Sequence, residues 1–262
     1  MFDKFQSRLN LKGEVETLTA IRIGASRSTS PVSSDLPVVR DAANHPYIPG
    51  SSFKGVFRSY LESVLRSFTD DRCVVCNPTN EKEQCITREE METLRKKRDD
   101  QLILNQICWV CQLFGASWYA SKLQIRDLHV RQDLWFDQYQ QRDGVAIDRD
   151  TETASDGKLY DYEVVPAGVL FDFHAIVDNA EDWQLGMLYV GLSAFENGEL
   201  TIGGGSSRGL GLIELSLESE EYIDKQHIMQ YLTDEDYKTE TVNRQSCVRA
   251  FQAKIKQQLE AS

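Results

Sequence analysis

No stretch of this chain is apolar for long enough to cross a bilayer, and residues 1–18 lack the apolar run behind a basic segment that marks a signal peptide. We therefore expect a cytoplasmic protein with no membrane partner. Internal repeats and low-complexity tracts are also missing, which excludes solenoids and disordered linkers. Positive charge is in deficit: 29 Lys and Arg stand against 41 Asp and Glu, a formal net charge of -12. A surface that binds nucleic acid everywhere through phosphate neutralisation is excluded by that sum. A local basic groove is not, because the acidic residues crowd the stretch 217–237, whereas Lys54, Arg58, Arg66 and Arg208 lie elsewhere. With 262 residues, 41% hydrophobic and 27% charged, the chain has the composition of one decorated folded domain.

Residues 7–25 alternate apolar and polar side chains, predicting one long strand or two joined by a kink near Gly13. A polar loop follows, then the bent segment 36–52 with three prolines, leading into a helix whose amino end lies at Ser51 or Ser52. Phe53, Val56, Phe57, Tyr60, Leu61, Val64 and Leu65 recur at helical spacing. Strands are expected at 123–130, 169–178 and 212–219, and a helix at 182–198 with Gly198 placed to end it. The order strand, helix, strand, strand, helix, strand is the split βαβ pattern of an α+β, ferredoxin-like or modified RNA-recognition-motif core. Three segments decorate it: a cysteine-bearing insertion at 68–124, a polar hairpin or arm at 140–166, and an acidic carboxyl-terminal extension at 216–262.

Five of the six cysteines, Cys73, Cys76, Cys85, Cys108 and Cys111, fall in the insertion, and Cys247 stands alone as a buried or free thiol. Two C-x2-C pairs supply enough thiolates for one tetrahedral Zn2+ with a structural role, Cys85 being able to replace Cys73 or Cys76. The bland alternative is a set of unrelated buried thiols. The loop Gly203-Gly204-Gly205-Ser206-Ser207-Arg208-Gly209-Leu210-Gly211 lacks the Gly-Lys-Ser/Thr ending of a P-loop and leads into a strand, so nucleotide hydrolysis is not expected. It is either a plain turn or a loop whose backbone approaches a phosphate, with Arg208 to pair it. Ser51, Ser52, Lys54 and Arg58 sit at or near the amide-rich start of a helix, with the two cations four residues apart. That pair reads either as a phosphate grip or as a solvated face. His45, His129 and His174 have no partner that the sequence certifies.

Taken in order, Ile48-Pro49-Gly50-Ser51-Ser52-Phe53-Lys54-Gly55 and the loop 203–211 resemble the RAMP superfamily, the repeat-associated mysterious proteins. Between them, residues 142–149 (RDGVAIDR) and 160–166 (YDYEVVP) resemble the thumb hairpin of its type III CRISPR backbone subunits. The resemblance spans roughly residues 8–215. It implies a subunit that stacks with other RAMP subunits along a CRISPR guide RNA, grips the RNA backbone with Ser51, Ser52, Lys54, Arg58, Gly204, Gly205, Ser206, Arg208 and Gly209, and holds complementary target RNA. It further implies that Asp35, ahead of Pro37-Val38-Val39-Arg40-Asp41, supports target cleavage with Mg2+ or another divalent cation, Asp41 being the fallback. The cysteine insertion resembles those of III-D systems and single-chain RAMP effectors. Two other roles stay open at this point: a filament subunit that binds guide RNA without cutting, and a guide-processing endoribonuclease that leans on histidine.

Overall fold

In the computed structural model, residues 4–25, 34–69, 71–97, 103–104, 106–234 and 237–261 are described. Most of the polar loop, residues 26–33, lies outside them, as do residues 98–101 of the charged stretch in the insertion. The alternation in β1 (Ser7–Thr17) turns Leu9, Leu11 and Val15 inward and leaves Arg8, Lys12 and Glu16 in solvent. β1 occupies the middle of a four-stranded antiparallel sheet, flanked by β7 (Leu170–Asp178) and β8 (Ile213–Asp224), with β3 (Leu123–Ile125) beyond β7. The pairing with β8 shifts register between Lys12 and Gly13, so the expected kink is a bulge in a continuous strand.

Two helices cover the dry face: α1 (Gly50–Arg66) follows β1, and α4 (Asp182–Glu196) follows β7. In chain order the core is β1, α1, β3, β7, α4, β8, and its strand order matches the ferredoxin-like arrangement expected from the sequence. The helical spacing in α1 places Phe53 and Phe57 against Phe195 of α4, with ring centroids 4.3 and 5.7 Å away. Phe173 of β7 and Phe114 complete this aromatic centre. Each fully buried phenylalanine contributes roughly 1.5–3 kcal/mol of burial free energy.

The crossover from α1 to β3 is enlarged by the cysteine-bearing insertion, which contains α2 (Arg88–Lys97) and α3 (Trp109–Phe114). Its Ile86, Met91, Leu94, Ile107 and Val110 join the same apolar core rather than forming a separate one. Short strands β2 (Tyr47–Ile48) and β4 (Leu128–His129) pair with each other. β5 (Gln140–Ile147) and β6 (Ala154–Val164) form a two-stranded antiparallel hairpin outside the main sheet.

The acidic carboxyl-terminal region is not a mere extension. β8 continues to Asp224, paired to Ser7, and Glu220 accepts hydrogen bonds from Tyr189 Oη and Arg244 Nε at 2.9 and 2.8 Å. Helix α5 (Ile228–Thr233) leads to α6 (Arg244–Ala261), which packs along α4. Buried Cys247 and Phe251 sit on that contact, which explains why α4 is apolar on nearly every side: the sheet and α1 take one side, α6 the other. Among the described residues, no helix is long and apolar enough to cross a membrane.

Candidate functional site

Two of the sequence motifs meet on β6. In the glycine loop, positive φ angles at Gly203, Gly205, Gly209 and Gly211 shape a path that side chains rarely allow. Gly205 and Gly209 bracket a single 3-10 turn, Ser206–Arg208, while buried Ile202 and Leu210 pin its base. The Gly204 and Gly211 amides donate to the carbonyls of Arg22 and Ala20, at 2.8 and 2.9 Å. Gly204, Ser206, Ser207, Arg208 and Gly209 are exposed. Arg208 Nη1 donates to Tyr160 Oη at 3.0 Å, joining the loop to the hairpin.

Arg22, which sequence reasoning passed over, stands at this junction. Its guanidinium carbon lies 5.6 Å from the centre of the Tyr162 ring, and its Nε is buried with no hydrogen-bond partner among the described residues. An arginine inside the otherwise apolar alternation of residues 20–23 was the available signal.

The neighbour of Tyr160 carries the second motif. Asp161 Oδ1 accepts the Asp35 amide at 3.0 Å, and Gln141 also donates to the Asp161 carboxylate. The Asp35 hydrogen bond is the largest influence holding the Asp161 carboxyl below its ordinary range. Asp35 is exposed, and Leu36 bridges to Tyr162, so this edge is anchored beside an exposed acidic residue. Arg40 secures the same base: its Nη2 donates to Glu163 at 2.7 Å and its guanidinium lies 3.8 Å from the Tyr139 ring centre. Asp41 accepts the Ala43 and His45 amides, both at 2.9 Å, and therefore caps a local turn. Because residues alternate along a strand, Tyr160 and Asp161 serve opposite faces of the hairpin. The loop thus holds the Tyr160 face, and the segment carrying Asp35 runs along the edge of β6, where Leu36 bridges to Tyr162 and its carbonyl accepts the Glu163 amide.

The helix-borne half of the expected RNA grip lies elsewhere. α1 begins at Gly50, and the Gly50 amide donates to Asp127 Oδ1 at 2.8 Å, so a protein carboxylate already sits at the anion-favouring end. Ser51 is exposed and Ser52 half-buried in that first turn. Lys54 Nζ donates to Ser121 Oγ and the Leu123 carbonyl at 2.7 and 2.8 Å. Burial, and then the nearby Arg58, push its amine down to about 8. Arg58 turns to the insertion, donating to Glu62, the Gly115 carbonyl and Cys111 Sγ at 2.7, 3.0 and 3.2 Å. The expected open pair of cations is absent because both side chains are spent on internal contacts.

The cysteines converge, although not as two C-x2-C pairs. The sulfurs of Cys76, Cys85, Cys108 and Cys111 all lie within 4.8 Å of one another, and all four residues are buried. Cys73 is exposed. A turn closed by the Asn77 amide on the Glu83 carbonyl, at 3.1 Å, folds the chain back so that Cys85 takes the place Cys73 was expected to fill. Cys108 Sγ caps α3 by accepting the Cys111 amide at 3.4 Å. The Cys76 and Cys111 sulfurs are 3.6 Å apart, close to the about 3.8 Å separation that Zn–S bonds of about 2.3 Å give in a tetrahedron. Sulfur contacts, from Cys108 first and then Cys111, drive the Cys85 thiol strongly down, while Cys108 is driven up by Cys111, Cys76 and Cys85. Four such groups cannot all ionise together without a cation, and this set could hold a metal ion such as zinc. Among the described residues, no other set of three or more His, Cys, Asp or Glu is gathered in this way.

The histidines are dispersed. His174 hydrogen-bonds Asn10 at 2.6 Å, His129 stacks on Tyr47, and His45 Nδ1 is 3.9 Å from Asp41. No two histidines share one catalytic contact among the described residues.

A family model described as the RAMP superfamily matches residues 14–214. Three similar proteins bear the name CRISPR system Cms endoribonuclease Csm3. That of Enterococcus italicus is 28% identical over 232 residues, 81% of this chain and 92% of its own length. That of Methanocaldococcus jannaschii is 26% identical over 223 residues, 80% of this chain and 79% of its own. The Methanothermobacter thermautotrophicus protein is 36% identical over 81 residues, which is 28% of this chain and only a third (33%) of the relative's length.

Proposed function

The chain belongs to the RAMP superfamily, and we propose that it is a guide-RNA-binding backbone subunit of a type III CRISPR effector complex that positions complementary target RNA and cuts it. The single observation that carries this reading is the convergence on β6, where the glycine loop joins Tyr160 and the Asp35 edge joins Asp161. The Csm3-named relatives, which are called endoribonucleases, favour the cutting subunit over a filament subunit that only binds. The scattered histidines give the guide-processing alternative no support.

Arg208 and the exposed glycine backbone suit an RNA phosphate, the guanidinium supplying charge and the glycines close approach. Arg22, with a buried and unpartnered Nε beside Tyr162, supplies a second cation at the junction. Recognition of this kind reads backbone and shape, leaving sequence to base pairing.

Asp35 is the candidate catalytic residue. Its carboxylate orients the attacking ribose 2'-hydroxyl and takes its proton, the 2'-oxygen bonds to the adjacent phosphorus as the bond to the 5'-oxygen breaks, and the leaving 5'-oxygen takes a proton from water. Asp35 and Asp161 offer hard oxygen donors at an open edge, which suits a divalent cation such as Mg2+ that keeps most of its own waters. Such an ion would supply charge stabilisation to the phosphate. Two carboxylates do not complete an active site, and the RNA and neighbouring RAMP subunits would supply the rest. In the cysteine cluster, a zinc ion with every position filled by thiolate would be structural. That insertion supports a III-D-like assignment.

Guide-RNA binding by the purified protein, measured by fluorescence anisotropy across a salt series, tests the reading. Arg208→Ala should weaken binding by about 10–100-fold, the range of a charged hydrogen bond, and lower the salt slope by about one. Unchanged affinity and slope would remove the loop from the RNA site.

A further inference from the structure

The side chains that the insertion draws from α1 form a ladder with an unusual charge count. Arg58 and Arg66 both donate to Glu62, through Nε to Oε1 at 2.7 Å and Nη2 to Oε2 at 3.3 Å. Each arginine also reaches the cysteine cluster: Arg58 Nη2 lies 3.2 Å from Cys111 Sγ, and Arg66 Nη2 donates to the Cys76 carbonyl at 3.0 Å. Glu62 is buried, with only 10% of its side chain exposed, and Arg58 has 19% exposed. Two guanidinium groups on one carboxylate leave one positive charge without an acid partner. Arg66 is partly in water, so the imbalance falls on Arg58, whose remaining contacts are the neutral Gly115 carbonyl and a sulfur.

A neutral thiol accepts a hydrogen bond weakly, whereas a thiolate is a strong acceptor for a guanidinium. A divalent cation with four thiolates carries a net charge of about -2, which is the counter-charge the ladder lacks. We propose that Arg58 is a positioning residue for the cysteine metal site: it compensates the charge on Cys111, and the Glu62–Arg66 pair holds it there. The inference rests on the metal-site reading and adds to it that α1, the helix at the centre of the fold, governs how tightly the ion is kept.

The test uses the full chain. Zinc content is measured first, and then the rate of zinc transfer to a chromogenic chelator is compared for wild type, Arg58→Met, Arg58→Lys and Arg66→Met. Partners in the shell around metal ligands are worth about 10–100-fold in affinity, so Arg58→Met should release zinc faster by tens-fold. Arg58→Lys, which keeps the charge without the fork, should lose less, and Arg66→Met, which gives up the Glu62 pair and the Cys76 carbonyl but no sulfur contact, a few-fold.

The Co2+-loaded proteins supply a readout that a loss of packing would not move. Removing a cation from a metal-bound thiolate raises the sulfur donor orbital, so the sulfur-to-cobalt charge-transfer band should shift to longer wavelength in Arg58→Met and stay near its wild-type place in Arg58→Lys. Unchanged zinc retention and an unchanged band in Arg58→Met would overturn the role of Arg58 while leaving the metal site standing. A wild-type protein that neither contains zinc nor binds Co2+ would overturn the metal reading itself, and the inference with it.

Discussion

Lys54 gives a prediction in which sign and size both follow from its surroundings. Its ammonium is tied to Ser121 and the Leu123 carbonyl under partial burial, close to the Arg58 charge, and its amine is pushed from 10.5 down to about 8. The folded value therefore lies below the unfolded one, and between the two the unfolded chain binds more protons. The destabilising cost is fully present below about pH 8 and fades as pH rises toward 10.5. Unscreened, such a shift corresponds to about 3 kcal/mol, and solvent access to the side chain reduces this to roughly 1–2 kcal/mol. Urea unfolding of wild type and Lys54→Met, at pH steps from about 7 to about 10 with zinc supplied, isolates the effect. The stability of wild type minus that of the variant should rise by that 1–2 kcal/mol. A difference that is flat or falls with pH would refute the burial argument.

Other consequences are as direct. A Cβ at Gly191 would lie 2.1 Å from the Phe57 ring, which is itself packed between Phe114 and Phe195. Gly191→Ala should therefore cost about 1–3 kcal/mol despite alanine's better helix propensity, read as a lowered denaturant midpoint. Cys85→Ser should abolish stoichiometric zinc binding while Cys73→Ser keeps it, because only Cys85 lies in the sulfur cluster; elemental analysis of the purified variants decides. Glu163→Gln removes the anion under Arg40, and amides of the hairpin 140–164 should exchange about tenfold faster, the size of a weakened charged hydrogen bond.

The elements legible in the sequence were those whose periodicity is set by one dry face: β1, β7, α1 and the fully covered α4. α6 was harder to see because its apolar stripe, Cys247, Phe251 and Ile255, is thin and its partner is another helix. Motif order pointed to the loop and the Asp35 segment, both of which contact β6, but side-chain direction was not readable. Lys54 and Arg58 have the spacing of a solvated pair, and only the insertion's approach to α1 turned them inward. The choice of Cys85 over Cys73 depends on a loop closing through Asn77 and Glu83, which cysteine spacing does not encode. Asp161 gave no signal because its meaning comes from the chain 126 residues away at Asp35.

As proposed, this chain cuts target RNA from the Asp35 edge once assembled on guide RNA. The most direct measurement is cleavage of labelled complementary RNA by the reconstituted complex, with and without Mg2+, comparing wild type with Asp35→Ala. Metal-dependent cuts by wild type should disappear in the variant while guide and target binding persist. Equal cutting by the variant would contradict this, and target binding by wild type without any cuts would reduce the chain to a filament subunit with Asp35 as an ordinary loop residue.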